Sequence, residues 1–275
     1  MSETNDKNIV AGSFSYFANI LKIPLIGLVI ILIYWWAIEG TNTSLTQFAQ
    51  GIPYMISYFA QMFPPDLSIL QNLMVKVGET IQIAIMGTTL GTIIALPLSF
   101  LAARNVMKYQ VIYQAARGLF DLCRGINEIV WALLFVSMVG LGPFPGVLAL
   151  TVHLTGALGR YFSEAIETVN PEILRAIRST GAKKVHVLSN AVFPEIKPLL
   201  LNYIMYYFEH SVRAATVLGL VGAGGIGFEL LTSIRLFKTQ EVLTTLIVMV
   251  ILVIIVDRTS AFIRNQILHV ERGIE

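Results

Sequence analysis

Of 275 residues, 55% are hydrophobic and only 13% charged, with a mean hydropathy of +0.71. Soluble domains carry about 25% charged residues, so the chain reads as an all-α polytopic membrane protein. A net charge of +2 is too small for nucleic-acid binding, and a single cysteine, Cys123, excludes a disulfide framework or a multi-cysteine metal site.

The N-terminus, MSETNDKNIVAGSFSYF, is polar and mixed in charge, with no small-residue cleavage site after the first apolar run. Residues 24–38 therefore read as a retained span. A span needs about 20 mostly apolar residues. Six runs qualify or nearly do, at roughly 21–38, 78–103, 119–140, 143–162, 199–220 and 243–262. Segments 1–23, 104–124, 160–198 and 257–275 hold 15 Lys and Arg, against 3 in 39–79, 140–147 and 219–242. By the positive-inside rule both termini and the 163–198 loop are cytoplasmic. Residues 39–77 form an aromatic-rich external connector broken at Pro64-Pro65, suited to the membrane–water interface. Three regions follow: 1–75 (tail, first span and connector), 76–260 (a five-helix core holding the 163–198 loop) and 261–275 (a cytoplasmic tail).

The 163–198 loop reads as two short helices. Asn170-Pro171 is a helix start, a side-chain acceptor followed by a residue whose missing N–H costs nothing there. Ile173, Leu174 and Ile177 share one face, opposite Glu172, Arg175, Arg178 and Ser179. Gly181 closes the helix in the left-handed conformation. A second amphipathic turn sets Val185, Leu188 and Val192 against Lys183, Lys184 and His186, and Pro194 is expected to end it. Two half-apolar helices between spans suit a docking surface for a partner, or equally a loop lying on lipid headgroups.

Arg124 and Glu128 lie four apart in the third predicted span, around Asn127, and Glu209 and Arg213 repeat the spacing in the fifth. One such charge at mid-bilayer costs roughly 2.5–3.5 kcal/mol, whereas an i,i+4 ion pair returns only about 0.2–0.5 kcal/mol in water. These faces must look into the bundle or a wet cavity. They serve either as glue between spans or as a translocation path in which Arg213 tolerates an anionic solute. In VGAGGIG, Gly222, Gly224 and Gly227 have dinucleotide-fingerprint spacing but no βαβ context. Together with Gly225 they permit tight turning and close helix packing at the outer mouth, or N–H groups facing an anion. The four histidines, His153, His186, His210 and His269, are scattered, and no catalytic, metal or Walker-type motif is present.

RAIRSTGAKKVHVLSNAVFP resembles the cytoplasmic loop of binding-protein-dependent ABC importer permeases: Glu-Ala-Ala, three residues, Gly, nine residues, Ile, one residue, Leu-Pro. Ala176, Gly181 and Pro194 match, while Arg175 replaces Glu, Ile177 the second Ala, Ala191 Ile and Phe193 Leu. RGINEIVWALLFVSMVGLGPFPGVLAL (124–150) and SVRAATVLGLVGAGGIG (211–227) resemble the permease subunit of phosphonate importers, including relatives that carry phosphite or hypophosphite. The resemblance implies a type I ABC importer permease fold in the bacterial cytoplasmic membrane. It also implies a second copy of the chain, two cytoplasmic ATPases that hold the ATP and Mg, and an extracytoplasmic solute-binding protein. This chain then needs no cofactor of its own. By the same resemblance, Arg175, Ala176, Ile177, Arg178, Ser179, Gly181, Ala182 and Pro194 carry ATPase coupling. A permease for methionine or a quaternary amine shares this loop type, although a cationic solute sits poorly beside Arg213. A channel or secondary transporter would need no docking helices, and a membrane-embedded enzyme would need clustered acid/base or metal ligands.

Overall fold

The computed structural model describes residue 24 and residues 26–41, 44–170, 172, 175, 177, 179, 181 and 183–272, with residues 184, 185, 265 and 267–272 traced by backbone alone. Among these the chain is helix and turn without strand, in two units, 1–60 and 61–275. In the first unit, α1 (Ile26–Thr41) is an apolar run ending in Tyr34, Trp35 and Trp36, and it meets α2 (Leu45–Gln61) at 48°. The 39–77 connector is thus helical over the 17 residues of α2.

The second unit is organised around α6 (Pro143–Glu167), against which α3 (Leu70–Leu101), α4 (Gln110–Gly125), α5 (Glu128–Val139) and α8 (Phe193–Leu218) all pack. Short α7 (Lys184–Val187) and a π turn (Leu188–Val192) lead into α8. A 3-10 turn (Gly219–Val221) and a glycine loop then fold α9 (Ile226–Arg235) back on α8, and α10 (Thr239–Arg272) closes the bundle against α8 and α9.

Small residues mark the packed faces. On α3 the buried small residues are Thr80, Ala84, Gly87, Thr88, Gly91, Ala95 and Ser99, recurring every three or four residues but for the adjacent pair Gly87-Thr88. Lipid-embedded helices associate through van der Waals contact and hydrogen bonds, since the chains around them are as apolar as Leu, so small side chains that let backbones approach define the interface. A Cβ on Gly87 would lie 2.6 Å from that of Leu150, and one on Gly91 2.8 Å from that of Leu154. On the far side of α6, a Cβ on Gly156 would lie 2.6 Å from both the Arg124 nitrogen and the Phe120 carbonyl oxygen, and Gly159 lies under the Phe120 ring. The core continues through Ile83, Leu150, Leu154, Leu158, Phe162, Ile166, Val192, Ile196 and Leu218.

By length and composition, Leu67–Leu101, Leu188–Arg235 and Thr239–Arg264 can cross a membrane, and α1–α2 and α4–α5 bring the number to five if each bent pair is one span. Two departures from the six expected spans have physical reasons. The third is no single helix: α4 and α5 meet at 85° because Ile126 and Asn127 are extended and Asn127 caps α5, its side chain accepting the Ile129 N–H at 2.9 Å. The Trp131 indole N–H braces the bend by donating to the Cys123 carbonyl at 3.1 Å. The fourth, α6, has no stretch as apolar as those three spans because helices rather than lipid surround it, and Gly, Thr, Ala, His153 and Arg160 stand among its large apolar residues.

Gly156→Ala is expected to destabilise the protein by about 1–3 kcal/mol through overpacking against rigid backbone. Gly78→Ala, which meets nothing within 4 Å, should be neutral or slightly stabilising. Thermal unfolding of the detergent-solubilised variants checks the contrast.

Candidate functional site

The charged residues come together differently from their sequence spacing. With the chain extended at 126–127, Arg124 and Glu128 sit on separate helices and do not pair. Arg124 instead forks onto Asp121 Oδ1 (2.9 and 3.1 Å), while Glu128 lies 3.8 Å from His153 Nε2 on α6. Glu209 and Arg213 share α8, but each reaches across to α10. Arg213 Nη1 donates to Asp257 Oδ1 at 2.8 Å, and Arg264 Nη1 to Glu209 Oε1 at 3.5 Å. Glu209 is buried. The sequence reading passed over both partners. Asp257, the lone acid in the last apolar run, was the signal available for one of them.

Where α4, α6 and α8 meet, an open groove of about 510 Å³ is lined by Asp121, Arg124, Gly125, His153, Ala157, Tyr161 and Tyr207. Arg160 stands one turn along α6, bound to Glu164 Oε1 at 2.6 Å and 4.0 Å from Asp121. Two of the histidines that look scattered in sequence are stacked: the His153 and His210 rings lie 6.2 Å apart, with Tyr207 edge-on to His210. Tyr161 meets Tyr203 and Tyr207. The groove thus presents guanidinium, imidazole and phenol donors among carboxylates, a polar surface for a small hydrogen-bonding solute in an otherwise apolar chain. Among the described residues no group of three or more His, Cys, Asp or Glu is placed to hold a metal ion.

The glycine loop is committed within the protein. Gly222, Gly224 and Gly225 have φ of +89°, +79° and +72°, which only glycine adopts at small cost. The Gly225 N–H donates to Glu79 Oε1 at 3.0 Å and the Ile226 N–H to Thr80 Oγ1 at 2.9 Å, so side chains of α3 cap α9. Lys76 pairs with Glu79 at 2.7 Å. Of the loop N–H groups, that of Gly225 meets an internal carboxylate, while those of Gly222 and Ala223 meet the Gly219 and Leu218 carbonyls. Gly227 serves close packing, since a Cβ there would collide with the Thr216 carbonyl oxygen. Lys238, in the turn before α10, is held above its ordinary pKa by Glu241, and Asp66 below its own by hydrogen bonds from Ser68, side chain first and then backbone N–H.

In the 163–198 loop, Asn170 Oδ1 accepts the Glu172 N–H at 2.9 Å, the cap expected there, and the Asn170 N–H lies 3.4 Å from Glu195 Oε1. Arg175 and Ser179 are exposed, whereas Ile177 packs against the core. Gly181 turns the chain with φ +79°. Ala176, Arg178 and Ala182 lie outside the described residues. Pro194 does not end a helix but begins one, occupying the first turn of α8. The π turn before it bonds Phe193 N–H to the Leu188 carbonyl, a wider ring that absorbs the break in the ladder at proline.

The family of binding-protein-dependent transport system inner membrane components matches residues 95–268, well over half of the chain. This chain belongs to that family. It is 38% identical over 268 residues to a putative phosphite transport system permease protein, HtxC, of Stutzerimonas stutzeri, covering 98% of this chain and 93% of that one. It is 36% identical over 238 residues to the phosphite transport system permease protein PtxC of the same organism, covering 86% of each. A chain of the inward-facing MetNI methionine ABC transporter superposes with a TM-score of 0.63 at 21% identity, over 74% of this chain and 99% of that one. This inner-membrane component therefore has the ABC importer permease fold and is a multi-pass membrane protein.

Thr80→Val keeps the volume of the side chain but leaves the buried Ile226 N–H unpaired, at a cost of about 1–3 kcal/mol. Thermal unfolding of the purified variant should show the loss, and unchanged stability would mean that α9 is not held by this cap.

Proposed function

We propose that this chain is the transmembrane permease subunit of an ATP-driven importer for phosphite, phosphonate or a related phosphorus oxyanion. The likeness to a phosphite permease over 98% of the chain carries the reading. The polar groove supports it, because a small anion needs fixed donors along an otherwise apolar route. Transport is the work of this subunit, and ATP is hydrolysed by separate cytoplasmic subunits. Solute is delivered by an extracytoplasmic binding protein, and the bundle is completed by a second copy of the chain or a related permease. Both termini and the 163–198 segment face the cytoplasm, in keeping with the distribution of Lys and Arg.

In this reading the helix holding Arg175, Ala176, Ile177, Arg178 and Ser179, with Gly181 and Ala182 after it, docks on an ATPase subunit. Exposed Arg175 is available to its carboxylates, while Ile177 ties the docked helix to the permease core. Closure of the ATPases then moves the permease as rigid bodies. The solute passes Arg124, Asn127 and Glu128 at the bend. Glu209 and Arg213, held by α10, keep a charged wall in place, and Gly222, Gly224, Gly225 and Gly227 form the tight outer hairpin.

Uptake of phosphite by vesicles containing the permease, its ATPase and its binding protein tests the substrate. Transport of choline or methionine instead would move the chain to the runner-up solutes. For the coupling role, Gly181→Val should lower uptake more than tenfold while ATP hydrolysis persists. No atom lies within 4 Å of the new Cβ, so the effect is the strain of φ +79°, about 1–2 kcal/mol for an L residue. Normal uptake by this variant would remove the segment from coupling.

A further inference from the structure

At the end of α6, Glu167 uses both carboxylate oxygens. Oε1 accepts the Arg104 backbone N–H at 2.8 Å, and Oε2 forms an ion pair with Arg117 Nη2 of α4 at 2.9 Å. The Arg117 Nε donates to the carbonyl of Ala102, the residue capping α3, at 3.1 Å. Buried Tyr113 carries the guanidinium carbons of Arg117 and Arg104 at 4.9 and 5.3 Å from its ring centre, and its hydroxyl accepts the Arg104 Nε at 2.8 Å. Asn105 Nδ2 donates to the Ile166 carbonyl at 2.6 Å. Three helix ends thus meet in one charged knot, and the 168–181 segment leaves it directly: Val169 is buried and Asn170 is the cap of the next helix.

Arg117 is also on the face of α4 that reaches the groove. Asp121 and Arg124 follow it at four and seven residues, on one side of the helix and about 6 and 10 Å along it at 1.5 Å per residue. Between knot and groove, α4 is seated on α6 by Gly156 and Gly159 against Phe120 and Cys123.

We infer that Arg117 and Glu167 are positioning residues that make α4 move with the cytoplasmic segment, so that displacement at residues 168–181 reaches Asp121 and Arg124 in the groove. The inference rests on the transport reading. Neither residue touches solute. Their work is to keep the lever attached, and a guanidinium suits it because one planar group serves the Glu167 carboxylate and the Ala102 carbonyl together.

The test uses the whole transporter in vesicles, with phosphite uptake, ATP hydrolysis stimulated by the binding protein, and thermal unfolding read on the same preparations. Arg117→Gln and Glu167→Gln should each lower uptake at least tenfold, with stimulated hydrolysis within about twofold of native and an unchanged unfolding temperature. The double variant should be no worse than either single one. Arg117→Lys, which keeps the charge and loses the fork, should fall between native and Arg117→Gln in uptake, with an unchanged unfolding temperature. Native uptake in the single variants, uptake and hydrolysis falling together with stability, or losses that multiply in the double variant would each overturn the positioning role. Failure of the native transporter to take up phosphite would strike the transport reading itself, whereas native transport with indifferent variants would strike only the knot.

Discussion

Close approach to α6 is the constraint on which the rest of this bundle depends. Lipid offers no hydrophobic incentive for one apolar helix to leave it for another, so helices associate only where their backbones come near enough for dense contact. Gly87 and Gly91 admit α6 to α3, and Gly156 and Gly159 admit α4 to α6. Gly146 does the same for the glycine hairpin, its missing Cβ 2.9 Å from the Ala223 carbonyl oxygen. Filling one of these gaps pushes the element seated there away from α6, on which the others also rest. The groove exists because α4, α6 and α8 are held at these distances while the chain turns away at Ile126 and Asn127.

A second constraint follows from the first. Charges carried into such a bundle need partners within reach, and the helices supply them both along one element, as with Arg124 and Asp121, and across elements. Arg213 to Asp257 and Glu209 to Arg264 tie α8 to α10, Glu128 faces His153, and Arg117 with Glu167 joins α4 to the end of α6. Each group cut off from its partner would be a desolvated charge, so these links specify how the helices are registered even where their net contribution to stability is small.

Much of the local structure was legible because it follows from rules that act within a turn or two. The Asn170 cap is a side-chain oxygen meeting an N–H two residues on, and the turn at Gly181 is a φ that one residue type tolerates. Pro194 shows the limit of such rules. Read alone it stops a helix, but the π turn ahead of it changes the bonding pattern and the helix runs on. The bend at Ile126–Asn127 was hidden for a related reason, since the flanking apolar runs read as one and the cap lies in the middle of them.

By itself the sequence determined that the chain is helical, that it lives in a membrane, about where its helices run, and which of its segments are basic. Those are properties of composition, of three- to four-residue periods and of charge bias along the chain. Only the tertiary structure decided that His153 stacks on His210, that Arg213 answers to Asp257, and that Glu79 accepts the Gly225 N–H of the glycine loop. These partners lie 57, 44 and 146 residues apart, and no periodicity reaches so far. They meet because small residues along α3, α4 and α6 let particular helices touch, and a charge in an apolar surround then pairs with whichever group that contact brings.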